Sequence, residues 1–207
     1  MLTIHNFARG ARGLRAIWLA EEMGLDYVVL NHSYPVDSYY RALNPLGTVP
    51  LLEADHGIKL TESIAMLLYI AQTYGPTPLL TSDRPNLAKC LQLTVFGETE
   101  LAGPMNPLLS AKFGAPAADK SNWSVRGLEQ RIARNVDYVE SLIGGSGYLV
   151  GHHLTLADIS VSPALRMWHG ALGKPLSEKL TAYQERLSAR PAFKRARVRC
   201  DTGSKRS

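Results

Sequence analysis

The sequence has no run of about 18 apolar residues, the length a helix needs to cross a bilayer. It has no basic segment ahead of an apolar one either, because Met1 leads directly into a strand pattern. Neither a membrane span nor a secretory signal is expected. Cysteine is scarce: only Cys90 and Cys200 occur, with no Cys-x-x-Cys pair and no metal-ligand spacing. The cytoplasm is the expected compartment. An excess of one charge is also missing from most of the chain. Seven basic residues from Arg190 onward face Asp201 alone, so with +5 overall the first 189 residues carry −1. A nucleic-acid-binding core would cluster basic residues on a folded face, so no nucleic-acid partner is expected. The chain after Ala196 reads as a solvated, unstructured tail.

What is present is Asn44-Pro45-Leu46-Gly47-Thr48-Val49-Pro50-Leu51-Leu52. Pro45 and Gly47 punctuate a tight turn, and Val49 to Leu52 read as a strand with proline at its second position. Proline has no N–H and cannot sit in a central ladder position, so it fits the strand entrance. Val49-Pro50 is a candidate cis bond, which costs only about 0.5–1 kcal/mol before proline. Such a bond would turn the N–H and C=O of Val49 outward, where an extended peptide could pair with them.

Thr61-Glu62-Ser63 then opens a helix. Ile64, Leu67, Leu68 and Ala71 repeat at helical spacing and Gly75-Pro76 stops the pattern. The unpaired N–H groups at its start suit a carboxylate, with the Ser63 hydroxyl as a further donor. Glu62 can meet an ammonium. Carboxylate, ammonium and extended backbone together describe a γ-glutamyl peptide.

In chain order, Met1 to Phe7 is a first strand and Arg12 or Gly13 starts a helix that Gly24 ends. Tyr27 to Leu30 is a second strand, and Pro35 to Leu43 a short helix or connector. Val49 to Glu53 and Ile58 to Leu60 flank the hairpin signal Asp55-His56-Gly57. This β-α-β-α-β-β-α order is thioredoxin-like. After Pro76 the pattern is helical throughout. A long apolar helix, Asn86 to Ser110, is interrupted by Gly103-Pro104 and Asn106-Pro107, which should kink or end it. Helices follow over Trp123 to Ile143, Thr155 to Ala171 and Leu176 to Ala189, with a brief one after Pro191. Thr155 and Asp158 form a capping box, with Leu154 and Ile159 as a staple, so Asp158 reads as structural. His152 and His153 adjoin in a loop and point in different directions, which is no metal site.

The stretch Asn44 to Leu52, followed by Leu60-Thr61-Glu62-Ser63-Ile64-Ala65, resembles the glutathione-site signature of the cytosolic glutathione transferases, and the short start Met1 to His5 resembles the bacterial type. The resemblance implies a thioredoxin-like α/β N-terminal domain (residues 1–78), a linker (79–86) and an all-α C-terminal domain (87–207). It implies glutathione as co-substrate, held by Val49, Pro50, Glu62 and Ser63, and a homodimer. Glu98, on the long helix, is a candidate contact to the ligand ammonium. Phe7, Met105, Phe113 and Trp168 are candidate walls for a hydrophobic electrophile.

A thiol with pKa near 8.5 needs a donor or positive charge at sulfur to be a thiolate at neutral pH. The family supplies a Tyr, Ser or Cys at the end of the first strand or the start of the first helix. His5-Asn6-Phe7-Ala8-Arg9-Gly10-Ala11-Arg12-Gly13 holds none of the three. Counted back from Trp18, Asn6 falls where alpha-like classes place tyrosine, Ala11 where serine-type bacterial members place serine, and Arg12 where alpha-class enzymes keep an arginine. The candidates are the Arg12 charge, the Asn6 amide and backbone N–H groups at the helix start. The implied activity is attack of the thiolate on a hydrophobic electrophile. The rival readings are a glutathione- or ligand-binding protein with little turnover and, less favoured given Glu62-Ser63, an interaction module.

Overall fold

The computed structural model describes residues 1–203. The chain forms two compact units: Met1–Thr77 together with the chain from Ser188 onward, and Pro78–Leu187.

The first unit is built on a four-stranded sheet in the order β2-β1-β3-β4. Its elements are β1 (Leu2–Phe7), α1 (Ala11–Met23), β2 (Tyr27–His32), α2 (Ser38–Leu43), β3 (Leu51–Ala54), β4 (Ile58–Leu60) and α3 (Ser63–Thr73). β1 lies inside the sheet, parallel to β2 with Leu2 opposite Tyr27, and antiparallel to β3 with Ile4 opposite Leu52. Alternation along β1 puts Leu2, Ile4 and Asn6 on the α1 face and His5 and Phe7 on the α2 face. Gly24, at φ 64°, ends α1 in the left-handed conformation that glycine adopts without penalty. The expected hairpin turn is a short 3₁₀ turn over Asp55–Gly57, with His56 at φ 61°.

The last helix corrects the reading of the tail. α9 runs Pro191–Thr202 and buries Ala192, Phe193, Ala196 and Cys200. It packs on α1, where Phe193 meets Trp18 edge-on with ring centroids 4.8 Å apart. Arg190 grips Glu22 through two bonds of 2.6 and 2.7 Å, and Arg195 reaches Glu21 at 2.6 Å. Lys194, Arg195, Arg197 and Arg199 lie on the outer face of a docked amphipathic helix rather than in a solvated tail. Residues 204–207 of that expected tail lie outside the described residues. The chain from Ser188 therefore belongs with the sheet, whereas 87–207 was expected to form the helical domain.

The second unit is helical: α4 (Arg84–Phe96), α5 (Gly103–Gly114), α6 (Trp123–Leu142), α7 (Leu156–Arg166) and α8 (Glu178–Ser188). The expected break near Pro104 takes the form of a π-helical segment, Gly97–Ala102, joining α4 to α5, with Gly103 N–H bonded to the Glu98 carbonyl. A second π segment, Met167–Ala171, extends α7. α7 is buried along Leu156 to Leu165 and is the core of this unit. Gly97 permits its closest approach: a Cβ there would meet Ser160 Oγ at 2.5 Å. Among the described residues no helix is long and apolar enough to cross a membrane.

Candidate functional site

The first unit brings the two halves of the sequence signature together. Asp37 caps α2 by accepting from Tyr40 N–H at 2.8 Å. That fixes the buried Tyr40, whose Oη donates to the Thr48 carbonyl at 2.6 Å. Asn44 Nδ2 donates to the same carbonyl at 2.8 Å, and Asn44 Oδ1 accepts from Leu46 N–H. Gly47 turns the chain at φ 64° beneath the Arg41 guanidinium, which a Cβ would meet at 3.2 Å. The next residues are Val49 and Pro50, joined by a cis bond. Val49 packs on Val36, Tyr40 and Leu51. Its backbone lies ahead of the ladder, because β3 begins at Leu51 rather than at the expected Val49.

α3 starts with Glu62 at φ 66°, ψ 108° and Ser63 as its first residue. The first turn closes through Met66 N–H to the Glu62 carbonyl, so the N–H groups of Ser63, Ile64 and Ala65 precede the intrahelical ladder. Ser63 is 3% exposed, and its Oγ accepts from Arg15 Nη1 at 2.9 Å. Arg15, itself 1% exposed, is a site residue that sequence reasoning missed. Its only signal was a charge set between Leu14 and Ile17 in a helix whose residues Leu14 to Ala20 are all buried.

At the start of α1 the two thiol-activation candidates separate. Arg12 sits half-buried in the first turn. The N-cap is Gly10 without a side-chain cap bond, and no acid lies in the first turn, so charge and dipole there favour an anion. Asn6 is corrected. It is fully buried and points into the interior: Nδ2 donates to Cys200 Sγ at 3.3 Å, and Oδ1 is buried without a hydrogen-bond partner. Gly10 and Gly13 make room for it, since a Cβ on Gly13 would overlap its Oδ1 and Cγ. Cys200 completes the chain by donating to the Gly10 carbonyl at 3.6 Å, and burial pushes its thiol pKa up. Asn6 is a buried packing amide between β1, α1 and α9.

On the opposite sheet face His5 is buried and bonded on both sides. Its Nε2 meets Glu53 Oε1 at 2.7 Å and its Nδ1 meets His32 Nε2 at 2.8 Å. The His32 ring lies 4.2 Å from that of Tyr40. Burial, with the His5 neighbour, lowers the pKa of His32, while Asp37 acts in the opposite sense.

The remaining candidates occupy different settings. Phe7 packs with Val49 against Val36, Tyr40 and Leu51 in the first unit and meets Tyr34 edge-on. In the second unit Met105 is fully buried in the core, which corrects its placement on a pocket wall. Trp168 is buried with the Lys174 ammonium 6.0 Å from its ring, whereas Phe113 is 69% exposed. Glu98 lies half-buried in the first turn of the π segment after α4. Asp158 is buried in its capping box and accepts from Thr155 N–H, Leu149 N–H and Tyr183 Oη at 2.9 to 3.0 Å. His153 bonds the Pro78 carbonyl at 3.0 Å, and no group of metal-ligating residues gathers among the described residues.

Comparison with known proteins places this geometry in context. Residues 1–72 match the family model "Glutathione S-transferase, N-terminal domain" and residues 105–195 match "Glutathione S-transferase, C-terminal domain". The chain is 31% identical over 170 residues to the glutathione S-transferase-like protein LUC7 of Fusarium sp, covering 80% of this chain and 76% of that protein. It is 29% identical over 185 residues to glutathione S-transferase F9 of Arabidopsis thaliana, covering 84% and 83%. Among solved structures, the theta class glutathione S-transferase of Xanthomonas axonopodis pv. citri, crystallised with glutathione bound, superposes with a TM-score of 0.79 at 25% identity, covering 94% of this chain and 96% of that one.

Proposed function

Since the chain belongs to the glutathione S-transferase family, we propose that it binds glutathione in its first unit and activates the thiolate for attack on a hydrophobic electrophile. The observation that carries this reading is the pairing, within one unit, of the Val49 edge ahead of β3 with the N-terminus of α3. The Val49 backbone pairs with the cysteinyl part of the peptide as an added strand, with Pro50 fixing the edge. Ser63 and the first N–H groups of α3 receive the γ-glutamyl carboxylate, and Glu62 faces its ammonium. The sulfur lies at the α1 N-terminus, where Arg12 and the helix dipole favour the thiolate. Binding and orientation supply the rest of the acceleration. Phe7, in the same unit, is offered as apolar surface for the electrophile. The working form is proposed to be a cytoplasmic homodimer.

Titration calorimetry tests the binding step. Ser63→Ala is expected to weaken glutathione about tenfold or more, the worth of a hydrogen bond to a charged group. Unchanged affinity in a folded Ser63→Ala protein contradicts the assignment.

A second reading, a glutathione-binding protein with little turnover, is favoured by one observation. With Asn6 turned into the interior, the β1 end and the α1 start offer neither a hydroxyl nor a thiol to the sulfur. Tight glutathione binding without conjugation of an activated aryl halide would support it.

A further inference from the structure

Arg15 makes no use of the solvent that normally carries a guanidinium: it is 1% exposed on α1, and arginine is almost never fully buried unless paired. α1 packs on α3 in the same unit, and Arg15 Nη1 reaches Ser63 Oγ at 2.9 Å. A serine hydroxyl has one proton and two lone pairs, whereas a guanidinium only donates. The Ser63 oxygen therefore spends a lone pair on Arg15, and its proton must point elsewhere. The residue is the first of α3, where the N–H groups of Ser63, Ile64 and Ala65 also stand clear of the helical ladder.

Resting on the glutathione-site reading, we infer that Arg15 is a positioning residue for the γ-glutamyl carboxylate, acting through Ser63 without touching the ligand. It orients the Ser63 hydroxyl as an outward donor. It also places a positive charge behind the α3 N-terminus, where low dielectric keeps its field strong and adds to the dipole. Glu62, held at φ 66° immediately before Ser63, sets a negative group beside this positive end. The arrangement is complementary to a free α-amino-acid terminus, carboxylate and ammonium together. Arg15 thereby controls affinity for that terminus and leaves chemistry at the sulfur to the α1 start.

The test compares two peptides by titration calorimetry: glutathione, and 4-aminobutyryl-cysteinyl-glycine, which lacks the α-carboxylate. Arg15→Met is expected to weaken glutathione about tenfold or more and to change the analogue less than about twofold, with kcat at saturating glutathione near that of the wild type. Equal weakening of both peptides, or no weakening, overturns the inference. If circular dichroism shows that Arg15→Met does not fold, Arg15→Lys decides: it keeps the charge and should give a smaller loss confined to glutathione, and a uniform loss overturns the inference. Wild-type protein that binds neither peptide overturns the glutathione-site reading and this inference with it. Wild-type protein that binds both equally overturns only the carboxylate assignment at Ser63 and the role of Arg15.

Discussion

Asn6 Nδ2 donates to Cys200 Sγ across 3.3 Å, tying the first strand to the last helix. The contact explains why α9 belongs with the sheet: it seals the polar end of β1 while Phe193 covers Trp18. Phe193→Ala is expected to destabilise the protein by about 3–5 kcal/mol, the cost of emptying a buried aromatic site. Urea denaturation followed by Trp fluorescence measures it. A loss under about 1 kcal/mol would mean that α9 is only loosely attached.

Gly13 is required by Asn6. Alanine is the better helix former by about 1 kcal/mol, yet a Cβ here would overlap the Asn6 amide. Gly13→Ala should therefore lower stability by about 1–3 kcal/mol. Adding Asn6→Ala should recover part of that loss, a coupling that a double-mutant cycle reads directly. A Gly13→Ala protein as stable as the wild type contradicts the packing described.

The backbone of Asn44 to Leu52 was legible in the sequence because it is written in turn chemistry. Pro45, Gly47 and Pro50 dictate local conformation whatever surrounds them, and the cis bond and left-handed Gly47 are both present. α9 was not legible, because its buried stripe consists of Ala192, Phe193, Ala196 and Cys200 among four basic residues of the same helix, and composition alone reads as a tail. Asn6 and Arg15 were misread or missed for a shared reason. A polar side chain looks solvent-facing or catalytic until its interior partner, Cys200 or Ser63, is seen. Pro104 and Pro107 carry a further lesson, since the chain accommodates them with a π segment upstream instead of ending the helix.

Asp158 accepts bonds from two backbone N–H groups and the Tyr183 hydroxyl, more than a capping box alone provides. Asp158→Ala leaves those buried donors unpaired and should lower stability by about 2–5 kcal/mol. Glutathione affinity of the folded fraction should be unchanged. Thermal melts together with calorimetry on the same sample check both halves. Lost affinity at full folding would assign Asp158 to the site.

The His5–His32 pair makes stability pH-dependent. Burial and His5 hold the folded pKa of His32 below its ordinary value of 6.5, so as pH falls below about 6.5 the unfolded chain binds a proton that the folded chain refuses. The contribution of His32 is intact above that value and is lost as pH falls through the lower, folded pKa. Tm should drop between about pH 7 and pH 5, and less steeply in His32→Gln. Identical slopes in the two proteins would remove His32 as the cause.

Arg12 and the α1 N-terminus are proposed to hold glutathione as a thiolate. The direct measurement is a difference-absorbance titration of bound glutathione, following the ultraviolet thiolate band across pH in wild type and Arg12→Ala. The band should appear well below the free thiol pKa of about 8.5 in the wild type and move up toward it in Arg12→Ala. Bound glutathione that stays a thiol up to that pH would contradict the account and leave a protein that binds glutathione without activating it.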